Sequence, residues 1–527
     1  MIVPNQYFIK NSKLQPDIDT HKFNTKRIVS AIFMVGTSWK NQLFLDVTGR
    51  NDWSSSLVYS YGRGNFSYFY PSVSGSWIIT ESFKDTLPKW VSFAKVRGSW
   101  AQVGNDTSPY YINSGYEIAT YQRGDKKVYG MKIPDNMKST NLKPERKNAW
   151  EVGLDWRFLD SRIGLDFTYY KENTRNQIMT IDVPGPSGVK QKLINAGNIQ
   201  NSGIEVALNT TPYKRGDWQW DLNLTYTRNR NKIVELSPDV ASYINLDGSA
   251  TYGNYRIASV AKVGADYGML MSDSWIKTDE KTGKPIIGYT NNYRTVYYKR
   301  GGTVKEVGSM LPDFLGTVNT TLRWKDLSLY VLFDARFGGY VASYNSRYAT
   351  AYGFSGESEK YRKGMTWTSR YDNAKGKTFT DGFIPDAIFD QGTIVTAPDG
   401  TQHDVSGKTY QEAYEKGLVE PAHLQSHGYF KNSWGQGVIN DDWFKKLNYI
   451  ALREVTLSYN VPRRLCSYIG AKSLALSLTG RNIAYLLNTA PNHENPESVR
   501  GTGAAQFRMR SFMPYTASYL FTLNATF

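Results

Sequence analysis

The chain closes with YTASYLFTLNATF at residues 515–527, where apolar and polar side chains alternate. One set of positions is apolar, namely Tyr515, Ala517, Tyr519, Phe521, Leu523, Ala525 and Phe527. The intervening set is polar, namely Thr516, Ser518, Thr522, Asn524 and Thr526, and Leu520 alone breaks the pattern. Alternation with a period of two residues predicts a β-strand that has one apolar and one polar face.

The same alternation recurs along the whole chain. It predicts about thirteen strands, near 28–39, 42–51, 67–80, 91–103, 148–158, 162–175, 201–213, 217–231, 313–324, 327–338, 449–461, 473–484 and 512–527. Most of these exceed the ~9–11 residues that a tilted strand needs to cross a bilayer. Strands of soluble proteins average only about 5–6 residues. Strand length therefore favours a membrane protein.

The connections between these strands alternate in length. Tight turns are predicted at 40–41, 160–161, 214–216 and 325–326, and long connections at 52–66, 104–147, 232–312, 339–448 and 485–511. Outer-membrane barrels combine short turns on one side with long extracellular loops on the other. A soluble sandwich gives no reason for such an arrangement. The predicted fold is therefore all-β, a transmembrane antiparallel β-barrel.

Composition excludes several other classes of protein. The net charge is +16, but the 63 basic residues are dispersed and form no basic arm, so we predict no nucleic-acid binding. Dispersed positive charge suits an anionic lipid surface, an acidic partner or an anionic substrate better. Cys466 is the only cysteine, which excludes an intrachain disulfide and a Cys-based zinc site. The first residues do not read as a secretory signal, so a barrel would need its signal upstream.

Charged side chains fall on the polar registers of the predicted strands. Such charges are costly in a packed core but cost little in a watery lumen. The candidate lumen-lining residues are Asp46, Arg50, Asp155, Arg157, Asp166, Asp221, Arg323, Asp334 and Arg481. Tryptophans near strand ends or on apolar registers fit an aromatic girdle at the lipid–water boundary better than a sandwich core. These are Trp39, Trp100, Trp150, Trp156 and Trp324.

No catalytic motif accompanies these strands. The sequence lacks a Walker A loop, G-x-S-x-G, H-E-x-x-H and C-x-x-C, so no enzyme and no cofactor are predicted. His423 and His427 are four residues apart and form a candidate metal pair, but the surrounding Pro421 and Gly428 favour a surface loop. The adjacent Asp441 and Asp442 give no glycosidase geometry by themselves. Aromatic and acidic loop residues could contact sugars, and loop packing or contact with a lipoprotein explains them equally well.

Several blocks of sequence resemble the SusC/RagA family of TonB-linked outer-membrane proteins. The discriminating blocks are TGRNDWSSSL at 48–57 with YFYPSVSGSWIITESF at 68–83 and VSFAKVRGSWAQVGND at 91–106, and LREVTLSYNVPRRL at 452–465. The block from NLKPERKNAW onward, residues 141–178, is less specific because siderophore receptors carry a similar run. Further matching blocks are NAGNIQNSGIEVALNTTP at 195–212, TGRNIAYL at 479–486 and NPES at 495–498.

The resemblance implies a 22-stranded barrel closed by an N-terminal plug, coupling to TonB and a SusD-like surface lipoprotein. It also implies oligosaccharide or peptide substrates and a place in the outer membrane of a Gram-negative cell. This sequence has about thirteen strands and neither a plug nor a TonB-contacting box. We therefore expect residues 1–27 to be an extracellular loop segment and 28–527 a partial barrel that meets TonB through the missing N-terminal part.

The leading functional hypothesis is a component of nutrient import in the outer membrane. A siderophore-type receptor keeps the barrel and changes the substrate, whereas a soluble β-rich carbohydrate-binding protein would need no detergent. Tyr519, Phe521 and Phe527 form a candidate assembly signal, because other outer-membrane barrels end in a similar aromatic strand. An open sheet in lipid would leave unpaired backbone edges. We therefore expect that this chain alone does not form a closed transporter and inserts only with its N-terminal portion.

Overall fold

The computed structural model describes residues 25–527 except 125, 184–185, 187, 196, 239–241, 253–254, 274, 291–294, 302, 352–353, 355–363, 371–374, 398, 423–443, 501–506 and 510–513. Thirteen long antiparallel strands make up its main framework. They are β1 (Ile28–Trp39), β2 (Leu43–Ser54), β3 (Ser67–Ile78), β4 (Val91–Asn105), β5 (Glu145–Phe158), β6 (Ile163–Arg175), β7 (Asn198–Arg215), β8 (Trp218–Glu235), β9 (Phe314–Trp324), β10 (Leu327–Ser343), β11 (Phe444–Asn460), β12 (Ser473–Asn488) and β13 (Ser518–Thr526). The predicted all-β fold and its thirteen strands are confirmed.

The chain divides into two compact units. The first consists of residues 1–210, 229–244 and 262–265. Within it β1 to β7 pair in chain order, each antiparallel to the next. The register places Val47 opposite Val73 and Leu154 opposite Phe167, so apolar side chains meet across neighbouring strands. Cross-strand apolar pairs of this kind fix the register, because a slip of one residue would exchange the two faces.

The second unit consists of residues 211–228, 245–261 and 266–527. Its part of β8 pairs with β9, and β9 to β13 again pair in chain order. The register shifts between Phe337 and Tyr340 of β10 and, in β11, between Ile450 and Ala451 and between Leu452 and Glu454. Such a β-bulge inserts an unpaired residue and redirects its side chain.

In each unit, short connections join the strands at one end and long connections at the other. Two connections at the short end are longer than its tight turns, namely 79–90 and 461–472, in agreement with the predicted strand bounds. Both contain a short helix, Ile79–Ser82 and Arg463–Cys466. At the opposite end, the connection 176–197 is also long, although it is not among the long connections that the sequence predicted. It contains the antiparallel strands Ile178–Asp182 and Gln191–Asn195.

The long connections contain regular structure of their own. Their other strands are Glu117–Arg123, Lys126–Lys132, Asn136–Lys138, Tyr243–Tyr252, Tyr255–Lys262, Met269–Ser272, Ile286–Thr290, Thr295–Tyr298, Lys305–Ser309, Met365–Thr368, Thr378–Gly382, Ile388–Phe389, Ile394–Thr396, Gln402–Asp404, Val499–Arg500 and Arg508–Met509. Their helices are Tyr344–Ala351 and Tyr410–Glu415. Single 3₁₀ turns occupy Ser55–Leu57, Pro491–His493 and, at the short end, Ser467–Ile469.

The buried apolar residues lie mainly in these connections. In the second unit, residues from the 236–313 and 344–443 connections share one core that includes Ile287, Phe389 and Tyr410. In the first unit, Tyr59, Ile112, Leu142 and Leu193 form another. The connections are therefore stabilised by buried hydrophobic cores. The long strands instead keep most of their apolar side chains at the surface.

The apolar registers of the long strands are exposed or half-buried. Leu478 and its cross-strand partner Phe521 are 59% and 65% exposed. Leu322 in the second unit, and Trp150 and Val152 in the first, are exposed as well. So many exposed apolar side chains within each unit are unfavourable in water and are a mark of contact with lipid. Among the described residues, no helix is both long and apolar enough to cross a membrane.

Three of the domain predictions remain untested. The predicted loop segment 1–27 lies almost wholly outside the described residues. The location of the long connections outside the cell stays a prediction, as does the absence of the plug from the functional protein. In the part of the chain that the structure describes, β1 pairs only with β2 and β13 only with β12. Whether this chain closes without further strands stays a prediction as well.

Candidate functional site

The candidate site is the polar face of the long strands. All nine predicted lumen-lining residues lie in registers that alternate with the exposed apolar positions. The pairing shows this directly, since Asp155 lies opposite Asp166 while the adjacent Trp156 lies opposite Leu165. That this face lines a lumen stays a prediction. Most of the nine charged side chains prove to be members of local ion-pair networks.

Arg50 is part of a network at the long-connection end of β2. Its Nε donates to Oδ1 of Asp52 at 2.6 Å and its Nη2 donates to Ser30 Oγ at 3.0 Å. The hydroxyl of Tyr70 donates to the other carboxylate oxygen of Asp52. Asp52 is only 5% exposed. A buried carboxylate requires such hydrogen-bond donors. Residues 50–52 (RND) and 68–70 (YFY) therefore belong to one hydrogen-bonded cluster.

Asp166 accepts a two-pronged ion pair from β4. Nη1 and Nη2 of Arg97 each lie 3.1 Å from one of its carboxylate oxygens, and Nη2 also donates to Thr168 Oγ1 at 2.6 Å. The guanidinium reaches across β5 directly over Gly153, its cross-strand partner. A Cβ at Gly153 would lie 2.6 Å from Arg97 Nε, so any larger residue would displace the arginine. This glycine is required by the close approach of the Arg97 side chain.

Asp155, Arg157 and Asp46 are less tightly fixed. Asp155 accepts from Nη2 of Arg157 at 3.4 Å, and the Arg157 guanidinium lies 5.1 Å from the centre of the Phe93 ring. Asp46 borders a polar hollow of about 320 Å³ in the first unit. The hollow is lined by Asp46, Ser74, Gly75, Ser76, Lys95, Arg97, Gly98, Ser99 and Glu151. It is large enough for several waters or one small polar group.

In the second unit, Asp221 and Arg323 form an ion pair between β8 and β9. Gln219 Nε2 also donates to both oxygens of Asp221 at 2.9 Å, and Thr211 Oγ1 donates at 2.8 Å. Asp221 is thus surrounded by donors, and its charge is compensated. The sequence placed both members of this pair on the polar face but did not show that they are partners.

Asp334 is bound by Arg453, which the sequence did not single out. Nε and Nη2 of Arg453 lie 3.1 and 2.7 Å from Oδ2 of Asp334. Arg453 is the unpaired residue of the bulge in β11. The bulge lets both Arg453 and the next residue, Glu454, contact polar-face partners, since Glu454 accepts from Arg481 Nε at 3.0 Å. Without it, strict alternation would direct one of these two charges toward the apolar face.

Arg453 also holds the 488–498 segment, which follows β12. Its Nη1 and Nη2 donate to the two carboxylate oxygens of Glu497 at 2.8 and 2.7 Å. The hydroxyl of Tyr485 donates to Glu497 at 2.8 Å. Burial acts to raise the pKa of Glu497, but the hydrogen bonds from Arg453 and Tyr485 outweigh it and hold that pKa below its ordinary value. Bidentate pairs of this type are the strong ones.

A second carboxylate fastens the same segment. Glu494 is buried and accepts from Ser343 Oγ at 2.8 Å and from Asn345 Nδ2 at 3.3 Å. Here burial dominates and raises the pKa of Glu494 above its ordinary value. Asn492 Nδ2 adds a hydrogen bond to Ser346 Oγ at 2.9 Å. The 488–498 segment is therefore attached both to β10 and its following helix and to β11.

The arrangement provides a polar wall in which most charges are paired. Cations and carboxylates neutralise each other locally, so the wall offers hydrogen bonds without a strong field of one sign. Among the described residues, no group of three or more His, Cys, Asp or Glu side chains is placed to hold a metal ion. The histidine pair His423/His427 and the carboxylate pair Asp441/Asp442 lie outside the described residues.

The candidate assembly strand carries its aromatic residues on the exposed face. Tyr519 lies opposite Gly480 and Phe521 opposite Leu478, and the carbonyl of Phe527 accepts from Lys472 Nζ at 2.8 Å. We expect deletion of Phe527 from the complete receptor to lower its level in the outer membrane several-fold, as measured by immunoblotting of membrane fractions. Phe527→Tyr keeps the aromatic ring and should assemble normally. Equal levels of the deletion and the parent would contradict the assignment.

Comparison with known proteins supports the β-barrel fold. Residues 12–352 match the family model described as "TonB dependent receptor-like, beta-barrel". TonB-dependent receptor P26 of Formosa agariphila is 25% identical over 486 residues, which cover 90% of this chain and 43% of that protein. TonB-dependent receptor SusC of Bacteroides thetaiotaomicron is 29% identical over 271 residues, covering 49% of this chain and 26% of SusC. The chain thus spans less than half the length of these curated relatives.

A solved structure shows the same fold. The RagAB peptide importer in its open-open state superposes with a TM-score of 0.65 at 17% identity, over 95% of this chain and 47% of that one. The resemblance to SusC/RagA proteins and the expected outer-membrane location are confirmed. The soluble alternative is wrong, in agreement with the exposed apolar registers of the strands.

Proposed function

Because the chain belongs to the TonB-dependent receptor-like β-barrel family and is an outer-membrane protein, we propose that it is part of an importer of oligomeric nutrients. The observation that carries this proposal is that the long strands have an apolar face and, on the opposite registers, a polar face on which most charges are compensated. The first suits lipid. The second suits a passage for large polar molecules, because hydroxyl and amide groups can exchange hydrogen bonds along it without being trapped by a single strong charge.

The proposed substrates are oligosaccharides or peptides. RagAB is described as a peptide importer, and this chain shares its fold. Family members are receptors and transporters, so we propose no catalytic role. The proposed partners are a SusD-like lipoprotein that captures the oligomer at the cell surface, and the TonB system, which would act through a plug contributed by the remaining part of the receptor.

Gene deletion followed by growth on defined substrates tests this proposal. A strain without the complete receptor should lose growth on one class of oligosaccharide or peptide, and the parental gene should restore it. Monomers of the same class serve as the control, since they should support growth of both strains. Normal growth on every oligomer, combined with loss of ferric siderophore uptake, would overturn the proposal in favour of an iron receptor.

A further inference from the structure

In the first unit, the apolar face of the strands becomes polar and then basic toward the end that carries the long connections. On β5 the registers of the apolar face run Phe158, Trp156, Leu154, Val152 and Trp150, and then Asn148 and Arg146. The eight residue steps from Phe158 to Trp150 extend about 27 Å along the strand, or about 20 Å along the membrane normal at the usual tilt. That is close to the ~25 Å height of the apolar band of outer-membrane barrels.

The aromatic pair at the top of this band marks a membrane boundary. The Trp150 ring lies 6.3 Å from the ring of Trp100 on the neighbouring strand. Tryptophans concentrate where the hydrocarbon meets the headgroups. Just beyond this pair the same face presents amides, since Gln102 Nε2 donates to Asn148 Oδ1 at 2.8 Å and Asn173 Nδ2 donates to Asn198 Oδ1 at 2.9 Å. Side chains at this height therefore face headgroups.

Cations cluster at this height on three strands. Arg146 and Arg175 lie directly opposite each other on β5 and β6, and Lys171 lies opposite Trp150. Asn231 of β8 points to the polar face, where it donates to Asn201 at 2.6 Å, so its neighbours Arg230 and Lys232 face outward. We call Arg146, Lys171, Arg175, Arg230 and Lys232 the outer cation band; all five are exposed.

Among the described residues, no carboxylate is paired with the outer cation band. The apolar-face registers of β5, β6 and β7 and of the β8 segment in this unit contain no Asp or Glu, and the carboxylates of these strands, such as Glu151 and Glu205, lie on the polar face. In the described part of the chain, none of the five cations forms an ion pair. The neighbouring Lys147 contrasts with them, because it faces the opposite side and is paired with Glu172. Like charges directly opposite each other destabilise a sheet. A bound anion would relieve the repulsion between Arg146 and Arg175.

We propose that the outer cation band binds the phosphate groups of lipid in the outer leaflet. With the long connections extracellular, as we expect, this end lies at the cell surface, where the outer leaflet presents phosphorylated glycolipid. Arginine binds phosphate through two parallel hydrogen bonds, and lysine acts as a point charge. The acyl chains of the same lipid would lie against Trp150, Val152 and Leu154 below. The band thus gives this side of the receptor a fixed lipid partner, independent of what the receptor imports.

Retention of lipid by the receptor extracted from outer membranes tests the proposal. Native mass spectrometry in mild detergent would be carried out with added bisphosphorylated lipid A and with dephosphorylated lipid A. Only the phosphorylated form should be retained. Each basic residue near an anionic lipid surface contributes enough for about a 5-fold change in affinity. The triple variant R146Q/K171Q/R175Q should therefore bind at least 10-fold more weakly, and the difference should shrink at high salt.

The matched control removes three exposed cations from the short-connection end, as K40Q/K214Q/R215Q. It should retain lipid A like the parent. Equal loss in both triple variants would show a general charge effect and overturn the site. Equal retention of dephosphorylated lipid A would overturn phosphate recognition. Displacement by millimolar inorganic phosphate would identify a free-anion site and overturn the lipid assignment. The single variant K171Q, which leaves the arginines in place, should show about a 5-fold loss and guards against misfolding of the triple variant.

Discussion

Arginine in place of Leu222 is expected to destabilise the assembled receptor by about 2–4 kcal/mol, the cost of a basic residue on the lipid face near the bilayer midplane. Leu222 is the middle of five apolar registers on β8, which are Trp218, Trp220, Leu222, Leu224 and Tyr226. A guanidinium there would lose its hydration without gaining a partner. Equilibrium unfolding by urea in lipid vesicles would measure the change in free energy of unfolding.

Thr225→Arg is the matched control on the same strand. Thr225 is exposed on the polar face, where its hydroxyl is 2.6 Å from that of Thr317. Losing this hydrogen bond should cost about 1 kcal/mol. Asp221→Arg would be a poor control despite its polar register, because it would break the ion pair with Arg323 and leave two like charges together. Equal destabilisation by Leu222→Arg and Thr225→Arg would mean that the two faces have been assigned wrongly.

The long strands could be predicted because their period-two pattern is local. The run from Trp150 to Phe158 needs no knowledge of its neighbours to be recognised as a strand with two different faces. Leu520 shows the limit of this argument. It lies on the polar face opposite Thr479, where a strict pattern would require a polar residue.

The strands inside the long connections could not be predicted in this way. Ile286–Thr290 has five residues, and its pairing with Ile388–Phe389 joins positions about a hundred residues apart. Segments this short acquire their conformation from a shared core, here with Phe389 and Tyr410. Their own sequence carries too few alternations to identify them.

The partners of the charged residues could not be predicted either, because they depend on register. Arg97 belongs to the sequence block at 91–106. Only the register of β4 with β5 and of β5 with β6 shows that its side chain passes over Gly153 and reaches Asp166. Arg453 is harder still. Strict alternation from Leu457 and Val455 would place it on the apolar face, and only the bulge brings it to Asp334.

Arg453→Gln is expected to release the 488–498 segment and to lower the free energy of unfolding by about 2–3 kcal/mol. Removing one partner of a fully buried ion pair lowers the free energy of unfolding by about 3–5 kcal/mol. The loss is smaller here because Asp334 and Glu497 are 29% and 45% exposed and water can partly solvate them. Hydrogen exchange of the backbone amides in residues 488–498 would report the release, and urea unfolding would report the energy.

Arg481→Gln is the matched control for this substitution. Arg481 forms a single ion pair with Glu454 at 3.0 Å on the same strands but has no contact with the 488–498 segment among the described interactions. Its removal should cost at most about 1 kcal/mol and leave exchange in the segment unchanged. Arg453→Lys keeps the charge but cannot form the two-pronged contact, so it should fall between Gln and the parent. Equal exchange in Arg453→Gln and Arg481→Gln would contradict the claim that Arg453 fastens the segment.

The pH dependence of this attachment follows from the two carboxylates. The pKa of Glu497 is lower in the folded protein than its ordinary value of 4.5. Its stabilising contribution is therefore fully present above pH 4.5 and is lost as the pH falls through the lowered folded pKa. Glu494 has the opposite sign, since its raised pKa means that the ionised form costs stability at neutral pH. At pH 7 Glu497→Gln should thus speed exchange in residues 488–498, whereas Glu494→Gln should leave it unchanged or slow it. The reverse order would show that burial, rather than the arginine, governs how the segment is held.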